Sequence, residues 1–150
     1  LISQMIACHA ASLECHRRAM LSEQTVDGRQ MNLSAASKLS RTYAALLEAL
    51  DTHLGWRVEV SGANAGVHLL VWLQDVAPQQ LSACIDCAAR AGIGLYPVTP
   101  YYLLPPPRAG LLLGYAALTE EEIRTGVQHL AAVLDHGEWR SATEQEDFPL

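Results

Sequence analysis

The chain has 150 residues, half of them hydrophobic, and a formal charge of −6. That length fits one domain able to bury about 70% of the surface its unfolded form exposes, and no apolar run reaches the roughly 18 residues a membrane span needs. One lysine and nine arginines are scattered, with Arg17-Arg18 the only adjacent pair, so the clustered cations that track a phosphate backbone are missing; direct nucleic-acid binding by this chain is not expected.

The first residue is Leu1 rather than methionine, which points to a piece of a longer protein. The opening LISQMIACHAA lacks a basic n-region, and Ser3, Gln4 and His9 interrupt any apolar core, so it does not read as a secretory leader. Cys8, Cys15, Cys84 and Cys87 fit reduced thiols in a cytoplasmic protein, because a chain of this size can build a core without disulfides.

Apolar residues recurring at spacings of three and four predict an amphipathic helix from Ile2 to about Glu23. Thr25 to Asn32, with Asp27-Gly28 inside it, reads as a turn. A second helix is expected from about Ala35 to Leu54, with Leu39, Tyr43, Leu46, Leu47 and Leu50 on one face and Gly55 as its stop. At Trp56 the period becomes two: Trp56, Val58 and Val60 alternate with Arg57 and Glu59, as in a half-buried strand. After a turn over residues 61–66, VHLLVWL (67–73) has the continuous apolar character of a central strand.

Pro78 opens a third helix, with Leu81, Ile85, Ala88 and Ala89 as its buried stripe and Gly92 as its end. Ile93 to Val98 is expected as a third strand, followed by a loop rich in proline and tyrosine from Thr99 to Ala109. GLLLGYAA (110–117) is the fourth strand. Thr119 and Glu122 match a capping box, and the last helix stops at Gly137. Residues 138–150 form a polar tail, expected to be loosely held. The order α-α-β-β-α-β-β-α implies an α/β (α+β) fold, with helices covering a small mixed sheet.

Cys84-x-x-Cys87 falls inside the predicted third helix. A zinc site would need two more ligands, and the adjacent Cys15 and His16 diverge by about 100° around a helix. A redox dithiol belongs at a helix start. The pair therefore reads as small buried thiols, and no metal site is expected. Gly62-x-x-x-Gly66 has no helix after it to cradle phosphate and reads as hairpin chemistry. His68, at the head of the second strand, is either a packed residue or part of a cleft beside that turn. Tyr101-Tyr102, between prolines, suits a lip over a pocket, a domain interface or a plain surface connection. Arg108 carries the fork that recognises carboxylate or phosphate. No GxSxG or other nucleophile setting is present, and no catalytic residue is assigned.

Over about two-thirds of its length the chain resembles the C-terminal small domain of fold-type I PLP-dependent aminotransferases, most of all the aminotransferase-like part of MocR-type regulators in the GntR superfamily. The residues carrying the resemblance are Ala45-Leu46-Leu47-Glu48-Ala49-Leu50, Ser61-Gly62, and Ala65-Gly66-Val67-His68-Leu69-Leu70. They continue with Ala91-Gly92-Ile93-Gly94-Leu95-Tyr96-Pro97, Tyr101-Tyr102, Gly110-Leu111-Leu112-Leu113-Gly114-Tyr115-Ala116 and Leu118-Thr119-Glu120-Glu121-Glu122-Ile123. The resemblance implies a mostly antiparallel sheet, with residues 1–33 as a helical connection, 34–137 as the small domain and 138–150 as the tail.

It also implies a parent protein with a winged helix-turn-helix and a large domain that binds pyridoxal phosphate, dimeric when intact. Lys38, the single lysine, lies outside any cofactor motif, so no cofactor-binding residue is assigned and the fragment is expected to bind no pyridoxal phosphate alone. Relatives that transaminate place a carboxylate-holding arginine in the last strand; the matching position here is Leu112. The expected function is effector binding and cleft closure in a regulator, through His68, Tyr101, Tyr102 and Arg108. The alternatives are the small domain of a plain aminotransferase and a stand-alone binding or dimerisation module.

Overall fold

The computed structural model describes residues 2–61 and 68–141. Helix α1 (Ile2–Ala19) and helix α2 (Val26–His53) form an antiparallel hairpin. Small residues let their backbones approach: Ala19 and Ala36 are fully buried, and the Ser12 hydroxyl donates to the Ala36 carbonyl at 3.3 Å. The turn expected over Thr25–Asn32 is instead the start of α2. Thr25 is extended (φ −65°, ψ 158°) and its Oγ1 accepts the Gly28 N–H at 3.1 Å, which satisfies an orphan donor of the first turn. Asp27 lies in that turn, where the helix dipole favours a carboxylate. Asp27-Gly28 is thus helix-initiating here, and α2 runs unbroken through residues 33 and 34.

Gly55 takes the left-handed conformation (φ 49°) after α2. Trp56, expected at the head of a strand, sits in a turn of 3₁₀ helix (Gly55–Arg57) with its indole exposed. Strands β1 (Val58–Ser61), β2 (His68–Leu73), β3 (Tyr96–Pro97) and β4 (Ala109–Gly114) follow. They form one sheet in the order β1-β2-β4-β3, every pair antiparallel. The strand expected over Ile93–Val98 shrinks to two residues. Gly92 (φ 82°) and Gly94 offer no side chain to hold an extended edge, and Pro97 has no N–H to give.

Helix α3 (Leu81–Arg90) follows a 3₁₀ turn over Pro78–Gln80. Helix α4 (Glu120–His136) carries the predicted capping box: Thr119 Oγ1 accepts the Glu122 N–H at 3.2 Å, and the Glu122 carboxylate accepts the Thr119 N–H at 2.7 Å. Gly137 (φ 65°) ends it. A short helix, α5 (Glu138–Ser141), then returns Trp139 to the core with no exposed surface. That corrects the reading of residue 138 onward as loosely held, because a large indole outweighs its polar neighbours. The turn expected over Gly62–Gly66 and the tail residues 142–150 lie outside the described residues.

Register divides the sheet into two faces. Leu69, Val71 and Leu73 of β2 stand opposite Leu113, Leu111 and Ala109 of β4. This face forms one core with Tyr43, Leu46 and Leu50 of α2, Cys84 and Ala88 of α3, and Ile123, Val127 and Leu130 of α4. The opposite face carries Glu59, His68, Leu70, Trp72, Gly110, Leu112 and Tyr96. Arg57 fixes the entry to β1, reaching Asp75 at 2.7 Å and Asp135 of α4 at 2.6 Å. The expected α-α-β-β-α-β-β-α order and α+β class both hold.

Candidate functional site

A cleft of about 530 Å³ opens between α4 and the β3–β4 edge of the sheet. It exists because β3 is so short: in the antiparallel register Leu95 and Gly94 would face Leu113 and Gly114, yet those residues do not pair. Leu46, Leu112, Ile123, Val127 and Leu130 supply much of the lining, with His68 and Glu122 as its ionisable side chains. His68, the first residue of β2, stands opposite Gly114. A Cβ built at Gly114 would lie 3.5 Å from the His68 ring, so the imidazole rests across the strand at the mouth of the cleft. The Glu122 carboxylate is committed to the helix cap, and the Thr119 N–H bonded to it holds its carboxyl below the usual range.

The other three predicted site residues are elsewhere. Tyr102 meets Trp72 edge-on, with ring centroids 6.4 Å apart, and Tyr101 is exposed at the loop tip. Arg108 lies over the same Trp72 ring, 5.3 Å from its centroid. Its two terminal nitrogens donate to the Glu59 oxygens at 2.6 and 3.3 Å. The fork that the sequence offered to a carboxylate ligand is thus filled by a carboxylate of the chain itself. Trp72 and His68 share a face but are four residues apart on β2, roughly 13 Å. The structure therefore joins Tyr102 to Arg108 and leaves His68 in a separate cleft.

Sequence reasoning missed Trp72 and Glu59. Both were legible as outward positions of the two-residue period, had β2 not read as buried on both faces. Trp72 is in fact covered by the proline-tyrosine loop rather than by a helix. Gly126, midway along α4, also lines the cleft, and no sequence signal marked it.

Lys38 projects from α2, and its ammonium donates to the Ala117 carbonyl at 3.3 Å. It does not line the cleft. A pyridoxal aldehyde needs a lysine amine free to attack it, and the residues of this chain do not fit that requirement. Cys84 is fully buried, and desolvation pushes its thiol up to about 11. Cys87 is half-buried, and its sulfur accepts from Arg90 Nη2 at 3.0 Å. Among the described residues no group of three or more His, Cys, Asp or Glu side chains is placed to hold a metal. The side chains of Cys8 and His9 fall outside the described ones.

The fold is that of an aminotransferase small domain. A multiple substrate aminotransferase from Thermococcus profundus superposes with a TM-score of 0.60 over 76% of this chain and 27% of its own, at 22% identity. In sequence, the chain is 42% identical over 90 residues to YhdI of Bacillus subtilis (strain 168), an uncharacterized HTH-type transcriptional regulator. That match covers 60% of this chain and 19% of the regulator. It is 30% identical over 131 residues to a second such regulator from the same organism, YdeL, across 86% of this chain and 28% of the relative. No protein-family model matches the chain. The chain thus spans between a fifth and somewhat over a quarter of the regulators it matches, and the likeness to the aminotransferase-like domain of a MocR-type regulator stands. Among the described residues no helix is long and apolar enough to cross a membrane.

Proposed function

We propose that this chain is the effector-binding and closure domain of a PLP-dependent, aminotransferase-like transcriptional regulator of the cytoplasm. One observation carries the reading: an aminotransferase small-domain fold whose sequence relatives bear the name of HTH-type regulators. The cofactor is held by a large domain outside this chain, because Lys38 is turned to a backbone carbonyl. A winged helix-turn-helix of the same protein reads DNA, and the intact protein is a homodimer.

In this reading the cleft at His68 and the loop carrying Tyr101 and Tyr102 face the large domain, with Arg108 holding that loop from behind. Ligand arrival favours the closed arrangement and shifts the spacing of the attached DNA-binding domains. Leu112 in the cleft removes the arginine that transaminating relatives use for a substrate carboxylate, which favours sensing over turnover.

The test is the intact protein. Residues encoded upstream of Leu1 are expected to include a helix-turn-helix and a lysine-bearing PLP domain. His68→Ala and Tyr101→Ala are expected to weaken effector-dependent DNA binding while leaving cofactor absorbance unchanged. Amino-acid turnover by an intact protein without a DNA-binding module would instead identify a plain aminotransferase. Stoichiometric uptake of pyridoxal phosphate by the 150-residue chain would overturn the reading.

A further inference from the structure

Gly126 is the residue least explained by the fold. It lies in the interior of α4, where glycine is the poorest helix former after proline. Such a glycine is usually required by a close neighbour. Here a Cβ built at position 126 meets nothing within 4 Å, so alanine would fit the chain as it stands. The space in front of it is the cleft. Gly94, on the opposite wall, likewise has nothing within 4 Å of a built Cβ. The two bare walls widen a cavity that an ordinary side chain at either position would narrow.

The lining fixes what suits that space. Leu46, Leu112, Ile123, Val127 and Leu130 present hydrocarbon, and Glu122 adds a negative charge at the α4 end. Among the described residues His68 is the only lining side chain able to become cationic. The nearby cations are engaged elsewhere, Lys38 with the Ala117 carbonyl and Arg41 with Glu120 at 3.2 Å. A carboxylate pushed among these leucines would lose its water without gaining a partner and would face Glu122. A neutral apolar group would meet only favourable contacts.

We propose that this cleft takes the uncharged, apolar portion of a small ligand, with Gly126 keeping the space open and Leu112 setting the preference against carboxylates. The proposal rests on reading the cleft as the ligand-facing site of the domain, but its test needs neither DNA nor cofactor.

Benzyl alcohol and benzoate are matched probes of similar shape and opposite charge character. Saturation-transfer NMR on the purified 150-residue chain is expected to show benzyl alcohol binding about tenfold more tightly than benzoate. Leu112→Arg is expected to reverse that order, and Gly126→Leu to abolish transfer to benzyl alcohol. Gly126→Ala is expected to raise Tm by about 3 °C while weakening benzyl alcohol binding, a combination that a merely structural glycine would not produce. Equal or tighter binding of benzoate to the wild type would overturn the proposal. So would no binding of benzyl alcohol at millimolar concentration, or unchanged transfer in a folded Gly126→Leu variant. These outcomes leave the regulator reading standing, since that is decided by DNA binding of the intact protein.

Discussion

Arg108 holds its guanidinium 5.3 Å from the centroid of the Trp72 ring and grips Glu59 on the next strand with two hydrogen bonds. Trp72 and Glu59 are directly opposite each other in the β1–β2 register, so one side chain at the end of a long loop ties itself to two adjacent strands. The bond from Arg108 also holds the Glu59 carboxyl below the usual range. Tyr102 reaches the same indole from the other end of the loop.

This predicts a local effect for Arg108→Ala. The partners are at the surface, where ion pairs add little to global stability, so Tm is expected to move only slightly. Hydrogen exchange at Tyr101 and Tyr102, whose N–H groups bond to Val98 and Thr99, is expected to accelerate while α2 and α4 stay protected. Arg108→Lys keeps the charge but loses the fork, and should fall between the two. Unchanged exchange in the alanine variant would mean that the loop holds itself.

The cap of α4 gives a prediction in pH. The Thr119 N–H donates to the Glu122 carboxylate and depresses its pKa below the ordinary 4.5. A depressed folded-state value means that the contribution is complete above the unfolded carboxyl's value, about 4.3. It fades as pH falls through the lower folded value. Thr119→Ala is expected to cost about 1 kcal/mol near neutral pH. Urea unfolding of both proteins at about pH 7 and about pH 3 should show the gap between them narrowing in acid. A constant gap would show that Glu122 plays no part in the cap.

What could be read beforehand follows from how local each signal is. The α4 boundaries were legible because Thr119, Glu122 and Gly137 act on their own turns. β2 and β4 were legible because apolar runs of strand length needed no partner to be recognised. The start of α2 was misplaced because Asp27-Gly28 serves a turn and a first helical turn equally, and the deciding bond comes from Thr25. β3 was overextended because strand pairing depends on the neighbour as much as on the sequence. In the site, His68 was reachable from its place at a strand head. The fate of Arg108 was not, because Glu59 lies 49 residues away, and nothing local says that the fork is already filled.

Trp139 makes the end of the chain part of the core. It is fully buried beside the leucines of α4 and the small residues of α3, although only four residues of helix carry it. Trp139→Ala is expected to cost about 3–5 kcal/mol in urea unfolding, and truncation after Gly137 should cost at least as much. Arg140, stacked on the exit side 4.8 Å from the Trp139 ring, is largely exposed, and its alanine variant should lose far less. A truncated chain with unchanged stability would place Trp139 outside the cooperative core.

Gly110 makes the arrangement over the outer face possible. It is the β4 residue opposite Trp72, and a Cβ built there would come 2.6 Å from both Trp72 Cζ3 and Val98 Cγ2. Neither neighbour can retreat easily, since Val98 is 2% exposed and Trp72 8%. Gly110→Ala should therefore cost about 1–3 kcal/mol through overpacking, and it should also displace the indole that Arg108 and Tyr102 hold. Val98→Ala alone is expected to destabilise by removing buried hydrocarbon. Combined with Gly110→Ala it should restore part of the loss, because it removes one of the two clashes while leaving the other. The double-mutant cycle in urea is thus expected to give a favourable coupling. Strict additivity would mean that the strand moves as a unit and that the glycine is not what lets Trp72 lie flat.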